Sequence, residues 1–183
     1  MKPYVRSVSA STEIDSRNRS DSESRCKNGF VCRVERAWMD RFESPGFWNP
    51  KGRGPDCLNS PAARTVLPIV FMRTKLVLAG KSKDEIYESM KAAVEKKELP
   101  AVEPGGMVCM LSKQGYLNDR FGHWLPHLMF YVPLKDAKTW GADEPDSPVM
   151  VNPHFNGAPE RVTEFMVPVS EWSDGTPANT DAH

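Results

Sequence analysis

The densest run of reactive side chains is residues 112–127, SKQGYLNDRFGHWLPH. Its two histidines, His123 and His127, offer neutral imidazoles that can bind a metal or accept a proton near neutral pH. Asp119 could ligate the same metal or orient a ring. Histidines four residues apart converge on one metal when they share a helical face, but Pro126 disfavours helix at Leu125. In an extended chain four residues span about 13 Å, so a shared metal requires the loop to turn back at Gly122 or Trp124. A metal held by His123, His127 and Asp119, with Tyr116 or Tyr131 near the reacting group, would make the protein a metal-assisted hydrolase or oxygenase. The plainer reading has His127 opening a strand as a half-buried, hydrogen-bonded histidine while His123 braces the loop. Between these lies a non-catalytic site. Ser112, Gln114, Tyr116, Asn118, His123, Trp124, His127 and Tyr131 are the groups with which the segment would contact a small ligand or a partner.

Strands and helices must position these groups. In residues 127–132, alternation places His127, Met129 and Tyr131 on one face and Leu128, Phe130 and Val132 on the other. Residues 107–111 are continuously apolar, as in a central strand buried on both faces. Residues 30–34, 148–151 and 162–169 read as further strands. Asn28-Gly29 suggests a hairpin, although the preceding residues offer no convincing strand partner. Ser60-Pro61 supplies an N-cap and a first-turn proline for a helix running towards Gly80, kinked or broken at Pro68. Ser82-Lys83-Asp84-Glu85 fits a capping box, and Ile86, Met90 and Val94 give the next helix an apolar stripe ending before Pro100. Residues 38–59, rich in proline and glycine around Phe42, Phe47 and Trp48, read as a long loop pinned by aromatics.

Other chemistries find less support. No Gly-x-Ser-x-Gly elbow surrounds Ser112, and Gly105-Gly106 precedes a strand instead of opening a phosphate-cradling helix. His154 sits in a turn-rich stretch, and the tryptophans more readily pin loops than form a recognition platform. Lys plus Arg and Asp plus Glu both number 24, so the net charge is zero and no global field draws the chain to nucleic acid or anionic membrane. The longest apolar run, residues 67–72, contains Pro68 and falls far short of a membrane span. Residues 1–27 are rich in Ser, Arg, Asp and Glu, and are expected to be disordered. They show no apolar leader, which taken literally places the chain in the cytoplasm. The four cysteines form no CxxC pair, so zinc-ribbon and thioredoxin-type sites are disfavoured. Cys109 reads as a small buried hydrophobe. Cys32 and Cys57 are the better disulfide pair, one that would form only in an oxidising compartment.

Residues 28–36 (NGFVCRVER), Phe47-Trp48-Asn49-Pro50 with Cys57, and above all residues 112–133 (SKQGYLNDRFGHWLPHLMFYVP) resemble a group of uncharacterised bacterial proteins. Trp140-Gly141-Ala142, Val167-Pro168-Val169 and Trp172-Ser173-Asp174-Gly175 continue the likeness. The resemblance implies periplasmic or secreted placement, with a leader and a further ordered segment before the Asn-Gly-Phe motif. Export would in turn favour the Cys32–Cys57 disulfide. It implies no activity, cofactor or catalytic residue.

The sequence therefore predicts an α+β fold, an antiparallel or mixed sheet packed against two or more helices with long loops. Residues 28–177 would form the domain, after a disordered 1–27 and before an irregular 178–183. The functional expectation is binding of a small molecule or protein through the 112–127 loop. The competing readings are the metal enzyme and a structural or interaction domain whose loops and aromatics form an interface. No cofactor and no nucleic-acid partner follow from the residues.

Overall fold

The computed structural model describes residues 24–25, 29–117, 122, 124–133, 136, 139, 141, 144, 150–151, 159–160 and 162–178. The fold is α+β. Seven strands, β1 (Ser24–Arg25), β2 (Val31–Arg36), β3 (Arg53–Leu58), β4 (Met107–Met110), β5 (His127–Pro133), β6 (Met150–Val151) and β7 (Val162–Pro168), form one sheet. Their order is β1-β2-β3-β4-β5-β7-β6, with every pair antiparallel. Helices α1 (Ser60–Thr65), α2 (Leu67–Leu78) and α3 (Lys83–Glu95) lie between β3 and β4 in the chain. Among the described residues no helix is long and apolar enough to cross a membrane.

The inner face of the sheet carries Val31, Leu58, Val108, Met110, Met129, Tyr131 and Val162. With Ala62, Val66, Leu67, Val102, Trp124 and Trp172 they form the main core. A second core gathers Phe47, Ile69, Ile86 and Met90, flanked by Trp38, Phe42 and Met72. The aromatics of the 38–52 segment thus pack against α2 and α3, and Phe47 has no exposed surface. The capping box forms as expected. The Ser82 hydroxyl accepts from the Glu85 amide at 3.3 Å, and the Glu85 carboxylate accepts from the Ser82 amide at 2.8 Å.

Four expectations are corrected. Ser24–Arg25 pairs with Val31 and Cys32 and so supplies the strand partner that the residues before Asn28-Gly29 were expected to lack. The first helix is capped by Asn59, not Ser60, while its end at Thr65, with Val66 separating it from α2, is the break expected near Pro68. The proline of α2 marks that break, since its ring removes an amide donor and crowds the preceding turn. Strand β4 is central, as expected, but its burial alternates instead of covering both faces.

Most important, Arg53–Leu58 is a strand, not part of a loop. Its composition hides it: glycine, proline and aspartate are all depleted in strands. Pro55 is tolerated for a geometric reason. Cys32 and Cys57 face each other with Cα atoms 4.0 Å apart, the spacing of a non-hydrogen-bonded pair. Pairing alternates along the ladder, so Val34 and Pro55 form another such pair and the Pro55 nitrogen points away from β2. On its other side β4 pairs only with Cys57 and Leu58, so no ladder bond is lost at Pro55.

Candidate functional site

Strand β2 inverts the pattern its sequence shows. Alternation in Val-Cys-Arg-Val-Glu-Arg would send Cys32 and Val34 inward and Arg33 outward. Instead Val34 is 50% exposed and Arg33 8%. The reason is Asp56, which lies opposite Arg33 on β3. Arg33 Nε donates to both Asp56 oxygens, at 2.9 and 3.2 Å, while Nη2 donates to Asp56 Oδ2 at 3.0 Å and to Glu35 Oε1 at 2.8 Å. This two-pronged pairing offsets the desolvation of both charges. Arg33 Nη1 is buried and has no acceptor among the described residues.

The polar patch extends across the inner face. Glu164 is buried on β7 opposite Tyr131 of β5. Burial first, then the Glu164 and Glu35 carboxylates, push the Tyr131 hydroxyl well above its ordinary value, so it keeps its proton. Arg73 of α2, 2% exposed, rivets the region from the other side. Its Nη1 donates to the carbonyls of Trp38, Met39 and Asp40 at 3.0 to 3.2 Å, and its Nη2 to Glu160 at 3.1 Å. Burial opposes the charge on Arg33, but Glu35 and Asp56 outweigh it and hold the guanidinium above its usual range. Burial raises Asp56, with Arg33 pulling it back.

Glu35 is the titrating member. Burial first of all lifts its carboxyl to about 7, against the pull of Arg33 and with Asp56 adding to the rise. Between the ordinary carboxylate value of 4.5 and about 7, the folded state therefore binds more protons than the unfolded chain, and stability falls as pH rises through that window. His127 runs the other way. Burial lowers its pKa, so its contribution is lost as pH falls below the ordinary imidazole value. Glu35→Gln, an isostere of the protonated acid, is expected to flatten the loss of stability towards neutral pH while leaving the acid-side loss due to His127. Urea unfolding across this range checks it, and an unchanged slope would rule out Glu35 as the titrating group.

Residues 112–117 and 124–127 dock onto the edge of this cluster. A Cβ added at Gly54, which faces Glu35 across the β2–β3 ladder, would stand 2.7 Å from the Trp124 indole, and one at Gly115 would stand 2.6 Å from it. Trp124, 8% exposed, is therefore clasped between two glycines that must lack side chains. Tyr116 and Arg53 exchange backbone hydrogen bonds at 2.9 and 3.2 Å, tying the loop to the start of β3. Arg53 Nε also donates to the Gln114 carbonyl at 3.2 Å.

The expected site residues are thus placed as follows. Trp124 and His127 lie on the inner side with Glu35, Arg33 and Asp56. His127 faces Met110 across β4–β5, in the row that continues from Arg33 and Asp56. Ser112 uses its hydroxyl to accept from the Gln114 amide at 3.1 Å, and Gln114 is exposed. Tyr131 shares the face with His127 but sits four residues further along, in the same core cluster as Trp124. Asn118, Asp119 and His123 lie outside the described residues, as does His154. Cys32 and Cys57 form the expected disulfide. Cys109 is free and only half-buried, not sealed in the core.

Among the described residues no three His, Cys, Asp or Glu side chains assemble as a metal set. The His127 ring does hold a defined orientation. Its Nδ1 lies 2.6 Å from the Leu125 carbonyl, an acceptor only, so the proton sits on Nδ1 and the lone pair on Nε2. Arg33, Glu35, Asp56 and Glu164 escaped the sequence reading. The one available signal was a pair of charges, Arg33 and Glu35, alternating with Cys32 and Val34 in an otherwise plausible strand. No family model, curated protein or solved structure matches the chain.

Proposed function

We propose that the protein is a ligand-binding α+β domain whose site lies where the 112–127 loop closes over β3, formed by Trp124, His127, Glu35 and the Arg33–Asp56 pair. The observation that carries this reading is the buried Arg33 Nη1 donor, set among charges yet without an acceptor, because leaving such a group unsatisfied costs about 1–3 kcal/mol. A ligand oxygen would satisfy it. Arg33 already faces Asp56 and Glu35, so a further anion is disfavoured. The chemistry favours a small uncharged compound carrying hydroxyl or amide groups. Such a ligand can accept from Arg33, exchange hydrogen bonds with Glu35 and His127 Nε2, and lie against the Trp124 indole.

The test is thermal stabilisation by panels of monosaccharides, small amides and small carboxylates. A neutral probe at about 100 times its Kd is expected to add roughly 2.7 kcal/mol, and the gain should shrink in His127→Ala. Stabilisation by carboxylates alone would overturn the assignment. One observation favours a second reading, a metal site. A backbone carbonyl fixing Nδ1–H and leaving Nε2 open is how metal-ligating histidines are commonly held. Asp119 and His123 would complete that site for a hydrolase or oxygenase. Near-stoichiometric metal in untagged protein, lost in His123→Ala/His127→Ala, would favour it over the neutral-ligand site.

A further inference from the structure

The outer face of the sheet carries three cysteines in a row. Cys32 faces Cys57 across β2–β3, and Cys57 faces Cys109 across β3–β4. Directly opposed residues project from the same face, on strands about 4.8 Å apart. The Cys32–Cys57 bridge spans a non-hydrogen-bonded pair, so Cys57 turns its backbone groups towards β4. The Cys57–Cys109 pair is then hydrogen-bonded, with Cα atoms about 5.5 Å apart, inside the range a disulfide spans. Cys57 thus has an acceptable partner on either side, one bonded and one free.

From this row we infer that Cys57 is a disulfide-exchange centre, at which the Cys109 thiolate displaces Cys32 and the bridge moves from β2–β3 to β3–β4. The Cys109 sulfur attacks the Cys57 sulfur and forms the new S–S bond. The Cys32–Cys57 bond breaks, its electron pair leaves on the Cys32 sulfur, and Cys32 takes up a proton to replace the one Cys109 released. There is no net oxidation, so no external reagent is needed. Thiol–disulfide exchange proceeds along the S–S axis, with nucleophile and leaving group on opposite sides of the attacked sulfur. A row of three strands with Cys57 in the middle supplies that arrangement. All three residues are half-buried, not sealed, so solvent can carry the proton. Burial first, then Asp56, holds the Cys109 thiol above its ordinary value. Exchange is therefore slow at neutral pH and rises about tenfold per unit as pH approaches the thiol pKa. The move unties β2, the strand bearing Arg33 and Glu35, and leaves a Cys32 thiol on the outer face.

The experiment uses the full chain with Cys26→Ser, so that only this row exchanges. The folded protein is held at mildly alkaline pH, quenched in acid, labelled with N-ethylmaleimide in denaturant and mapped by mass spectrometry. Cys57–Cys109 peptides with label on Cys32, growing with pH, are expected. Label confined to Cys109 at every pH would overturn the inference. A second variant, Cys26→Ser/Cys32→Ser, is expected to form the Cys57–Cys109 bridge on exposure to oxidised glutathione. If it folds by circular dichroism and keeps two free thiols, the inference fails.

Discussion

Asp56→Ala is expected to lower the stability of the fold by about 3–5 kcal/mol, the cost of leaving a buried guanidinium without its two-oxygen acceptor. The size follows from geometry. The Arg33 and Asp56 side chains are 4% and 1% exposed, and three of the four hydrogen bonds Arg33 makes go to Asp56. Removing both charges together should cost less. Arg33→Met/Asp56→Leu is expected to recover much of the loss, because neither residue is then an uncompensated charge. Urea denaturation of the two variants and the parent checks both statements. A loss below about 1 kcal/mol in Asp56→Ala would mean that Asp56 is not the acceptor on which the buried Arg33 guanidinium depends, and the account of the pair would fail.

Opening the Cys32–Cys57 disulfide is expected to cost about 3.5 kcal/mol. The two cysteines are 25 residues apart, and closing a loop of that size removes about this much free energy's worth of conformational freedom from the unfolded chain. The bridge joins residues already opposed in the β2–β3 ladder, so the folded state needs little rearrangement when it is absent. Cys32→Ser/Cys57→Ser should therefore fold with the same far-ultraviolet spectrum but unfold at lower denaturant concentration. A midpoint within error of the parent would show that the unfolded chain gains no freedom from losing the link.

How much of this was readable in advance depended on whether local signals agreed with tertiary ones. Helix α3 was legible because its capping box and apolar stripe act within a few residues of each other. The break before α2 followed from Pro68, and β5 and β7 from their β-branched and aromatic runs. Strand β3 was not legible, since each atypical residue answers to something distant in sequence. Gly54 makes room for Trp124, Pro55 sits where β4 asks for no amide, and Asp56 meets Arg33. Because β3 was hidden, so was the inward turn of Arg33. The candidate site was found at one edge, through Trp124 and His127. Its charged half was missed because it depends on a strand that propensity argues against.

The same residues explain why the 112–127 segment drew notice for partly different reasons than those that matter. Its polar groups nearest β4 are spent on local structure: Ser112 on a turn, and the Gln114 carbonyl and Tyr116 backbone on Arg53. What the loop contributes to the cluster is Trp124, laid over a glycine beside Glu35, and a histidine with its tautomer fixed.

The most direct test of the ligand-binding account is nuclear magnetic resonance titration of the isotope-labelled chain with the neutral sugar or amide that stabilises it most. The account predicts saturable shifts of the Arg33 guanidinium protons, the Glu35 carboxyl carbon and the Trp124 indole proton, all fitting one Kd. Saturable binding with those three signals unmoved would place the site elsewhere and leave the Arg33 cluster as internal architecture.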